Sequence, residues 1–390
     1  MSFLHDSGLI TSGDQFVMEV TFFSLLFWAV YPYGIYPVVL SLLSRLFGNT
    51  WYPGDFTPRV TVLISVYNEE KVIEEKIRNT LSLQYPEHLL EIIVISDGSD
   101  DQTNEIVFRF KDPRLTLKAF SERSGKTVCL NRVVPEAKGD IVLFTDANSM
   151  FPSDTLLKLV RNFFDKNVGL VTGWSKYLRQ GGGEESTGIY SRLEMGTKYW
   201  ESLVSSCVGA DGAIFAIRKG LYEPLDERDI NDFVIPLQVI SQGKRVVLDP
   251  EVFCFEKSSK GEREEFRRQT RITNRTLRAV LKNPRFLNPF SFGYFSFFLF
   301  SHKFLRFLVP FFAAGAFLTN LFLLKVSPFY IGLIFMQLLF LCLGLANLVG
   351  KVNGRVANIC KFFLITLSAQ FAGWIRRVRG IPDTMWTPRR

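Results

Sequence analysis

A chain of 390 residues with Lys+Arg 46 against Asp+Glu 38 carries a formal charge of +8 and is long enough for two or three structural units; 47% hydrophobic and 22% charged residues exclude a disordered chain. Of its 38 phenylalanines, 19 lie between Phe286 and Phe371, so the excess is local and points to lipid around one region. Cys129, Cys207, Cys254, Cys342 and Cys360 form no Cys-x-x-Cys pair and His5, His88 and His302 stand apart, which argues for buried thiols, against a disulfide framework or zinc cluster, and for a hard, oxygen-held cation as the only metal.

Residues 20–44 carry no charge. At about 1.5 Å per residue such a run spans the ~30 Å hydrocarbon layer, and one transmembrane helix is expected there. Asp6, Asp14 and Glu19 precede it, Arg45 follows it, and no Lys or Arg occurs before that point. By the positive-inside rule the N-terminus faces out and the chain from residue 45 onward faces the cytoplasm.

From about residue 51 to 284 the composition is ordinary, and short β-branched runs alternate with amphipathic stretches, the punctuation of an α/β domain. Strands are predicted at 60–66 (VTVLISV), 91–96, 114–119 and 140–145, giving a parallel sheet covered on both faces. Ligands of such sheets bind beyond the carboxyl ends of the strands. There the sequence has Tyr67-Asn68-Glu69-Glu70, Asp97-Gly98-Ser99-Asp100-Asp101, Ser124-Gly125-Lys126 and Asp146-Ala147-Asn148.

These turns are also where helices begin, and Ser99-x-x-Gln102 fits a capping box. A phosphate-binding P-loop is excluded because Phe120 occupies the position its first glycine needs, although Lys126 at a helix start still suits a diphosphate. Asp146 and Asn148, two apart after a buried strand, can aim two oxygens at one point, enough for Mg²⁺ or Mn²⁺ that arrives with a nucleotide diphosphate. Arg267, Arg268, Arg271, Arg275 and Arg278 recur at helical spacing ahead of the apolar C-terminal third, a pattern that usually meets lipid headgroups.

Residues 307–324 and 326–350 are uncharged and separated only by Lys325, a hairpin of two further spans. The apolar runs 286–301 and 362–375 are shorter than the roughly 17–25 residues a span needs, and helices lying in the interface are expected there. The basic tail is then cytoplasmic, since a further crossing would carry Arg376, Arg377, Arg379, Arg389 and Arg390 outside. The division that follows is 1–50, an outer tail and first span; 51–285, a cytoplasmic domain; and 286–390, interfacial helices, two or three spans and a basic tail.

Taken in order, these stretches resemble the membrane-integrated family-2 glycosyltransferases, relatives of cellulose, chitin and hyaluronan synthases. The resemblance extends from the flanking spans to the closing Trp386-Thr387-Pro388-Arg389-Arg390. It implies a GT-A nucleotide-sugar-binding domain, Rossmann-like with a mostly parallel sheet, flanked by transmembrane helices. Tyr67, Glu69 and Asp97 match donor-binding positions, Asp97 toward the base, and Lys126 with Asn131 resembles the stretch beside the donor. Asp146 and Asn148 fall where the family holds its metal, with asparagine in place of the second aspartate. Asp211 and Gly212 lie in what looks like the acceptor loop. Asp232 matches the final aspartate of the T-E-D motif, the general base, with Asn231 replacing the glutamate. Arg268 and Arg271 occupy the Q-x-x-R-W position, where Ile272 replaces the tryptophan of the processive synthases.

The resemblance implies an inverting transferase that moves a sugar from a nucleotide diphosphate sugar, expected to be a UDP-sugar, to a lipid-linked or polysaccharide acceptor in cell-surface glycan or exopolysaccharide synthesis. Its implied cofactor is Mg²⁺ or Mn²⁺, its setting the plasma (inner) membrane among membrane lipids. Chemically, a cation at Asp146 with Lys126 and Arg271 would stabilise the leaving diphosphate, and Asp232 would take the acceptor's proton in a single displacement. On its own, Asp232 also suits a helix cap. Two other readings stand beside this one: a membrane-anchored nucleotide-binding sensor or transport subunit without catalysis, and a nucleotidyltransferase. Nucleic acid is not an expected partner, because the positive balance is explained by residues flanking the spans.

Overall fold

The computed structural model describes residues 12–178, 189–257 and 261–383. Asp6 and the closing Trp386 to Arg390 lie outside the described residues. In chain order the elements are helices α1 (Ser12–Val30) and α2 (Ile35–Phe47), strand β1 (Val60–Val66), α3 (Ile73–Leu81), β2 (Leu90–Asp97), α4 (Thr103–Arg109), β3 (Leu115–Phe120), α5 (Lys126–Val133) and β4 (Ile141–Asp146). After these come α6 (Thr155–Val160), β5 (Val168–Leu178), α7 (Ile189–Val204), β6 (Phe215–Arg218), α8 (Asn231–Ser241), β7 (Arg245–Lys257) and α9 (Glu262–Lys282). The apolar third forms α10 (Pro289–Phe292), α11 (Tyr294–Phe298), α12 (Leu305–Leu323), α13 (Pro328–Leu348) and α14 (Arg355–Val378).

Contacts group the described residues of 37–259, 278–300 and 381–383 into one compact unit and those of 12–36, 261–277 and 301–380 into another. The first unit is built on a sheet of order β3-β2-β1-β4-β6-β5-β7. The four predicted strands form within a residue of their expected ends. All pairs are parallel except those of β6, which runs antiparallel to both β4 and β5. The short FAIR segment carries no periodicity long enough to announce that reversal; it is set by pairing on both sides. β1 pairs with β2 on one side and β4 on the other, and almost every residue of VTVLISV is buried, as a central strand with both faces covered requires. Val60, Val62, Ile64 and Val66 share a core with Ile73 and Ile77 of α3 and Val107 of α4. Elsewhere in the sheet, Phe144 of β4 stacks on Phe215 of β6 with centroids 4.7 Å apart.

The second unit contains α1, α12, α13, α14 and most of α9. Phe22 of α1 packs with Ala316, Leu323 and Tyr330. Two side chains bond between helices: Asn320 Nδ2 donates to Gln337 Oε1 at 3.1 Å, and Trp374 Nε1 to the Phe307 carbonyl at 2.8 Å. Among the described residues, Gly13–Val30, Tyr294–Leu323, Pro328–Leu348 and Arg355–Val378 are long and apolar enough to cross a membrane.

Three expectations change here. The uncharged run 20–44 is two helices, because Pro32 lacks an N–H and its ring opposes a continuing helix, and Gly34 follows in the Tyr31–Gly34 turn. The run 362–375 belongs to a 24-residue helix whose charged ends, Arg355 and Arg376–Arg377, extend it past the uncharged stretch, so it is long enough to cross. The run 286–301 breaks at Gly293 into α10 and α11, and α11 continues through a π-helical segment, Leu299–Phe304, into α12. Cys342 is exposed on α13, whereas the other four cysteines are buried.

Gly139, just ahead of β4, lies tight against neighbouring backbone. A Cβ there would lie 2.4 Å from the Thr61 nitrogen and 2.7 Å from the Ile141 carbonyl oxygen, both main-chain atoms that cannot yield. Gly139→Ala is expected to destabilise this unit by about 1–3 kcal/mol. A thermal denaturation midpoint equal to that of the wild type would show that β1 and β4 can separate there.

Candidate active site

Beyond the ends of β1 and β2, two loops are laced together. Asn68 has φ 53°, in the left-handed region that asparagine tolerates. Its Nδ2 donates to Asp100 Oδ1 at 2.6 Å, its Oδ1 accepts from the Asp100 amide at 3.0 Å, and its own amide donates to Ser99 Oγ at 3.1 Å. The amide of buried Glu69 donates to Thr103 Oγ1 at 2.8 Å, and that of Glu70 to Asp101 Oδ2 at 3.1 Å. The expected capping box does not form: Gln102 precedes α4 with no side-chain cap bond, and Ser99 is engaged by Asn68 and Ser96. The Tyr67 ring lies against the Arg123 guanidinium, 3.7 Å from its centroid, a flat surface that the sequence pattern did not announce.

Asp97 ends β2 and is only 8% exposed. Its Oδ1 accepts from the Ser124 amide at 2.7 Å and the Cys129 thiol at 3.3 Å, and its Oδ2 accepts from the Gly125 amide at 2.8 Å. Both oxygens of the residue expected to meet the donor base therefore fasten the loop ahead of α5. Lys126, the first residue of that helix, projects from the fastened loop and donates to Asp146 Oδ1 at 2.7 Å, with the two side chains 31% and 42% exposed. The predicted cation and the predicted metal ligand thus meet at the ends of two strands.

Asn148 follows two residues on, half-buried. Among the described residues no group of three or more His, Cys, Asp or Glu converges to hold a metal unaided. The donor set fits a hard divalent cation that brings most of its ligands with a diphosphate, Asp146 and Asn148 adding oxygen.

The next residue, Thr127, ties this side of the site to the other. Its Oγ1 donates to the Asp229 carbonyl at 3.0 Å, in the segment that leads into α8. Asp229 and Asp226 are in turn held by Arg278, at 2.9 and 3.2 Å. Arg278, read from its spacing as a lipid-facing cation, is instead committed to the turn ahead of α8, where its carboxylate partners, buried Asp229 and exposed Asp226, are 49 and 52 residues away in sequence. The Asp226 carboxyl is held below its usual range by the Arg228 amide first and by Arg278 and Lys282.

Asp232 lies in the first turn of α8, so it occupies a helix start as well as the candidate base position. The 209–213 loop packs on it: the Ala210 amide donates to the Asp232 carbonyl at 2.7 Å, and a Cβ on Gly212 would lie 2.8 Å from Asp232 Oδ2. Glycine at 212 is what leaves the carboxylate its space.

Other predicted residues serve as clamps. Asp211 accepts from the Ser175 amide at 3.0 Å, the Ser175 hydroxyl and the Ala213 amide. Asn131 donates to the Leu225 carbonyl at 2.7 Å and accepts from the Leu225 amide and the Tyr222 hydroxyl. Lys198 of α7, which no motif flagged, is buried beneath the loop and donates to the Ala210 carbonyl at 3.3 Å. Burial opposes its charge, but the acidic groups around it, Glu194, Asp211 and Asp232 with the Cys207 thiol, hold its ammonium above the usual lysine range. Arg268 and Arg271 lie in the part of α9 grouped with the apolar helices, where Arg268 pairs with Glu265 at 3.0 Å.

The profile of the family Glycosyl transferase family 2 matches residues 61–224. Poly-beta-1,6-N-acetyl-D-glucosamine synthase of Staphylococcus aureus (strain COL) is 26% identical over 204 residues, 50% of this chain and 49% of that protein. The probable glycosyltransferase YdaM of Bacillus subtilis (strain 168) is 26% identical over 241 residues, 58% of this chain and 57% of that one. The chain spans about half the length of the curated relatives it matches. Among solved structures, mannosyltransferase PcManGT from Pyrobaculum calidifontis, in complex with GDP-Man and Mn²⁺, aligns with TM-score 0.71 over 93% of this chain and 99% of that chain at 21% identity, a likeness of fold.

If Asp97 acts by fastening the 124–125 loop, Asp97→Asn replaces one acceptor oxygen with a donor facing a backbone amide. Affinity for a nucleotide diphosphate is expected to fall about tenfold with the far-ultraviolet circular dichroism unchanged. Titration calorimetry giving wild-type affinity would remove that role.

Proposed function

We propose that this chain, whose residues 61–224 form a glycosyl transferase family 2 domain, is an inverting glycosyltransferase that takes a sugar from a nucleotide diphosphate sugar and adds it to a lipid-linked or polysaccharide acceptor at a membrane. The observation that carries the proposal is the continuity from Asp146 through Lys126 and Thr127 to the turn that presents Asp232. A leaving-group site and a candidate base hang from the same two residues of α5.

In this reading Lys126 stabilises the negative charge that develops on the departing diphosphate. A divalent ion held by Asp146 and Asn148 would supply further charge stabilisation at that diphosphate. The Tyr67 and Arg123 surface suits a nucleobase. Asp232 accepts the proton of the attacking hydroxyl. One displacement needs no nucleophilic side chain, and none is assigned.

Synthesis of a polysaccharide is supported by the Staphylococcus aureus relative, and a UDP-sugar is the donor its N-acetylglucosamine product brings to mind. The mannosyltransferase of like fold was solved with GDP-Man, so the donor base is a question for the assay. The apolar helices suit an integral protein of the plasma (inner) membrane whose catalytic domain faces the cytoplasm, the side that holds nucleotide sugars.

The test is incubation of the purified full chain with UDP-GlcNAc, UDP-Glc or GDP-Man, Mg²⁺ or Mn²⁺, and membrane lipid extract, followed by measurement of released nucleotide diphosphate. Release with one donor is expected, with loss in excess EDTA. Asp232→Asn should lower turnover by about 100-fold or more while donor binding persists. Wild-type turnover in that variant would remove the base assignment, and nucleotide binding without sugar consumption would favour a sensor.

A further inference from the structure

One face of α3 carries two polar residues that the reaction above does not use. Lys76 and Asn79 are three apart, so they project from the same side of the helix. Both are committed to the segment that carries Asp146 and Asn148. Lys76 has no exposed surface. Its ammonium donates to Thr145 Oγ1 at 3.2 Å and to the Ser149 carbonyl, and stands 3.7 Å from the centroid of the Phe151 ring. One turn later, Asn79 Nδ2 donates to the Phe151 carbonyl and Asn79 Oδ1 accepts from the Phe151 amide, each at 2.8 Å.

Thr145 and Ser149 bracket Asp146, Ala147 and Asn148. The far side of this segment is held by β7, where Met150 and Phe255 exchange backbone hydrogen bonds of 2.9 and 2.7 Å and Ser149 Oγ donates to Glu256 Oε1 at 2.6 Å. Lys76, Asn79 and β7 thus hold the residues on either side of the turn, and Lys126 reaches Asp146 with both side chains partly exposed.

A buried lysine is a costly device if holding a turn were its whole purpose, since an apolar side chain of the same length would fill the space without a buried charge. Burial pushes its ammonium down to about 7, against the pull of Cys254, Asp146 and Glu256, the groups facing it from β4 and β7. What the charge contributes is a field on Asp146. That carboxylate therefore interacts with two lysines, Lys126 partly exposed and in contact, Lys76 in the core and bonded to the residues on either side of the turn. A diphosphate that binds there competes for Lys126, and Asp146 then keeps only Lys76.

We propose that Lys76 is a positioning residue of the donor site: it holds both ends of the Asp146–Asn148 turn and supplies, from the core, the positive charge that keeps Asp146 in place when Lys126 turns to a nucleotide diphosphate. This rests on reading the chain as a nucleotide-sugar transferase. It extends that reading to a residue in the core of the domain, 69 and 73 residues away in sequence from the two groups it holds.

The test uses the full chain with Lys76→Met, which keeps the length of the stem and removes the charge. The variant is expected to fold with a denaturation midpoint equal to or above the wild type's. Its KM for the nucleotide sugar and the Mn²⁺ concentration for half-activation should each rise about tenfold, with kcat changed much less. Thr145→Val, which removes one acceptor at nearly constant volume, should move the same two constants in the same direction by a smaller factor.

A readout independent of turnover comes from pH. Because the folded-state value lies below the 10.5 of a free lysine, wild-type stability should rise as pH climbs from about 7 toward 10.5, and the difference between wild type and Lys76→Met should shrink over that window. Constants within twofold of wild type in Lys76→Met would overturn the proposal. Should Lys76→Met fail to fold, unchanged constants in Thr145→Val would overturn it instead. Failure of the underlying reading looks different: the wild type itself would then release no nucleotide diphosphate from any donor.

Discussion

The candidate site depends on one buried carboxylate. Asp97 takes the amides of Ser124 and Gly125 on its two oxygens, and through them fixes where α5 begins. Everything that converges on the open end of the sheet is reached from that start: Lys126 toward Asp146, Thr127 toward the turn ahead of Asp232. A carboxylate that accepts charge-assisted bonds from two backbone amides is a rigid fixture, because neither the strand that carries it nor the amides it holds have rotamers to spare. The starts of the Lys126–Asp146 and Thr127–Asp229 contacts are thereby set by main-chain geometry.

Two buried lysines under this surface illustrate how surroundings decide what a charge does. Lys198 is encircled by Glu194, Asp211 and Asp232, and their attraction outweighs burial. Lys76 has a hydroxyl, a carbonyl and a phenyl ring as its nearest neighbours, with acids only at longer range, and burial prevails. One therefore behaves as a permanent counter-ion beneath the 209–213 loop, while the other is a cation near its balance point beside the Asp146–Asn148 turn. Both lie one layer below the residues that touch a substrate in the proposed reaction.

Much of the domain was legible because its signals are local. Four strands could be read from β-branched runs, and the polar turns that follow them do lie at one end of the sheet. The roles within those turns were less legible. Asp97, Asn131 and Asp211 were picked out as polar residues at motif positions, and each has its side chain engaged with backbone groups of a neighbouring loop. A motif fixes residue type and spacing but not which way a short polar side chain points. Arg278 was misread for a related reason: helical spacing identified a basic face, yet its partners Asp226 and Asp229 belong to a segment about fifty residues earlier. The spans were misjudged where charge-free length stood in for helix length, since Pro32 ends a helix without any charge and Arg355 begins one with it.

The amino-acid sequence by itself determined an α/β domain with apolar helices on either side and the order in which acidic turns follow the strands, because hydrophobic period and turn chemistry act within a few residues of one another. Only the tertiary structure decided that β6 runs against its neighbours, that Asp97 grips a loop, and that Lys76 holds the residues beside Asp146. Those outcomes follow from buried polar groups finding partners across long stretches of chain, a condition satisfied by the packed whole and encoded in no single segment.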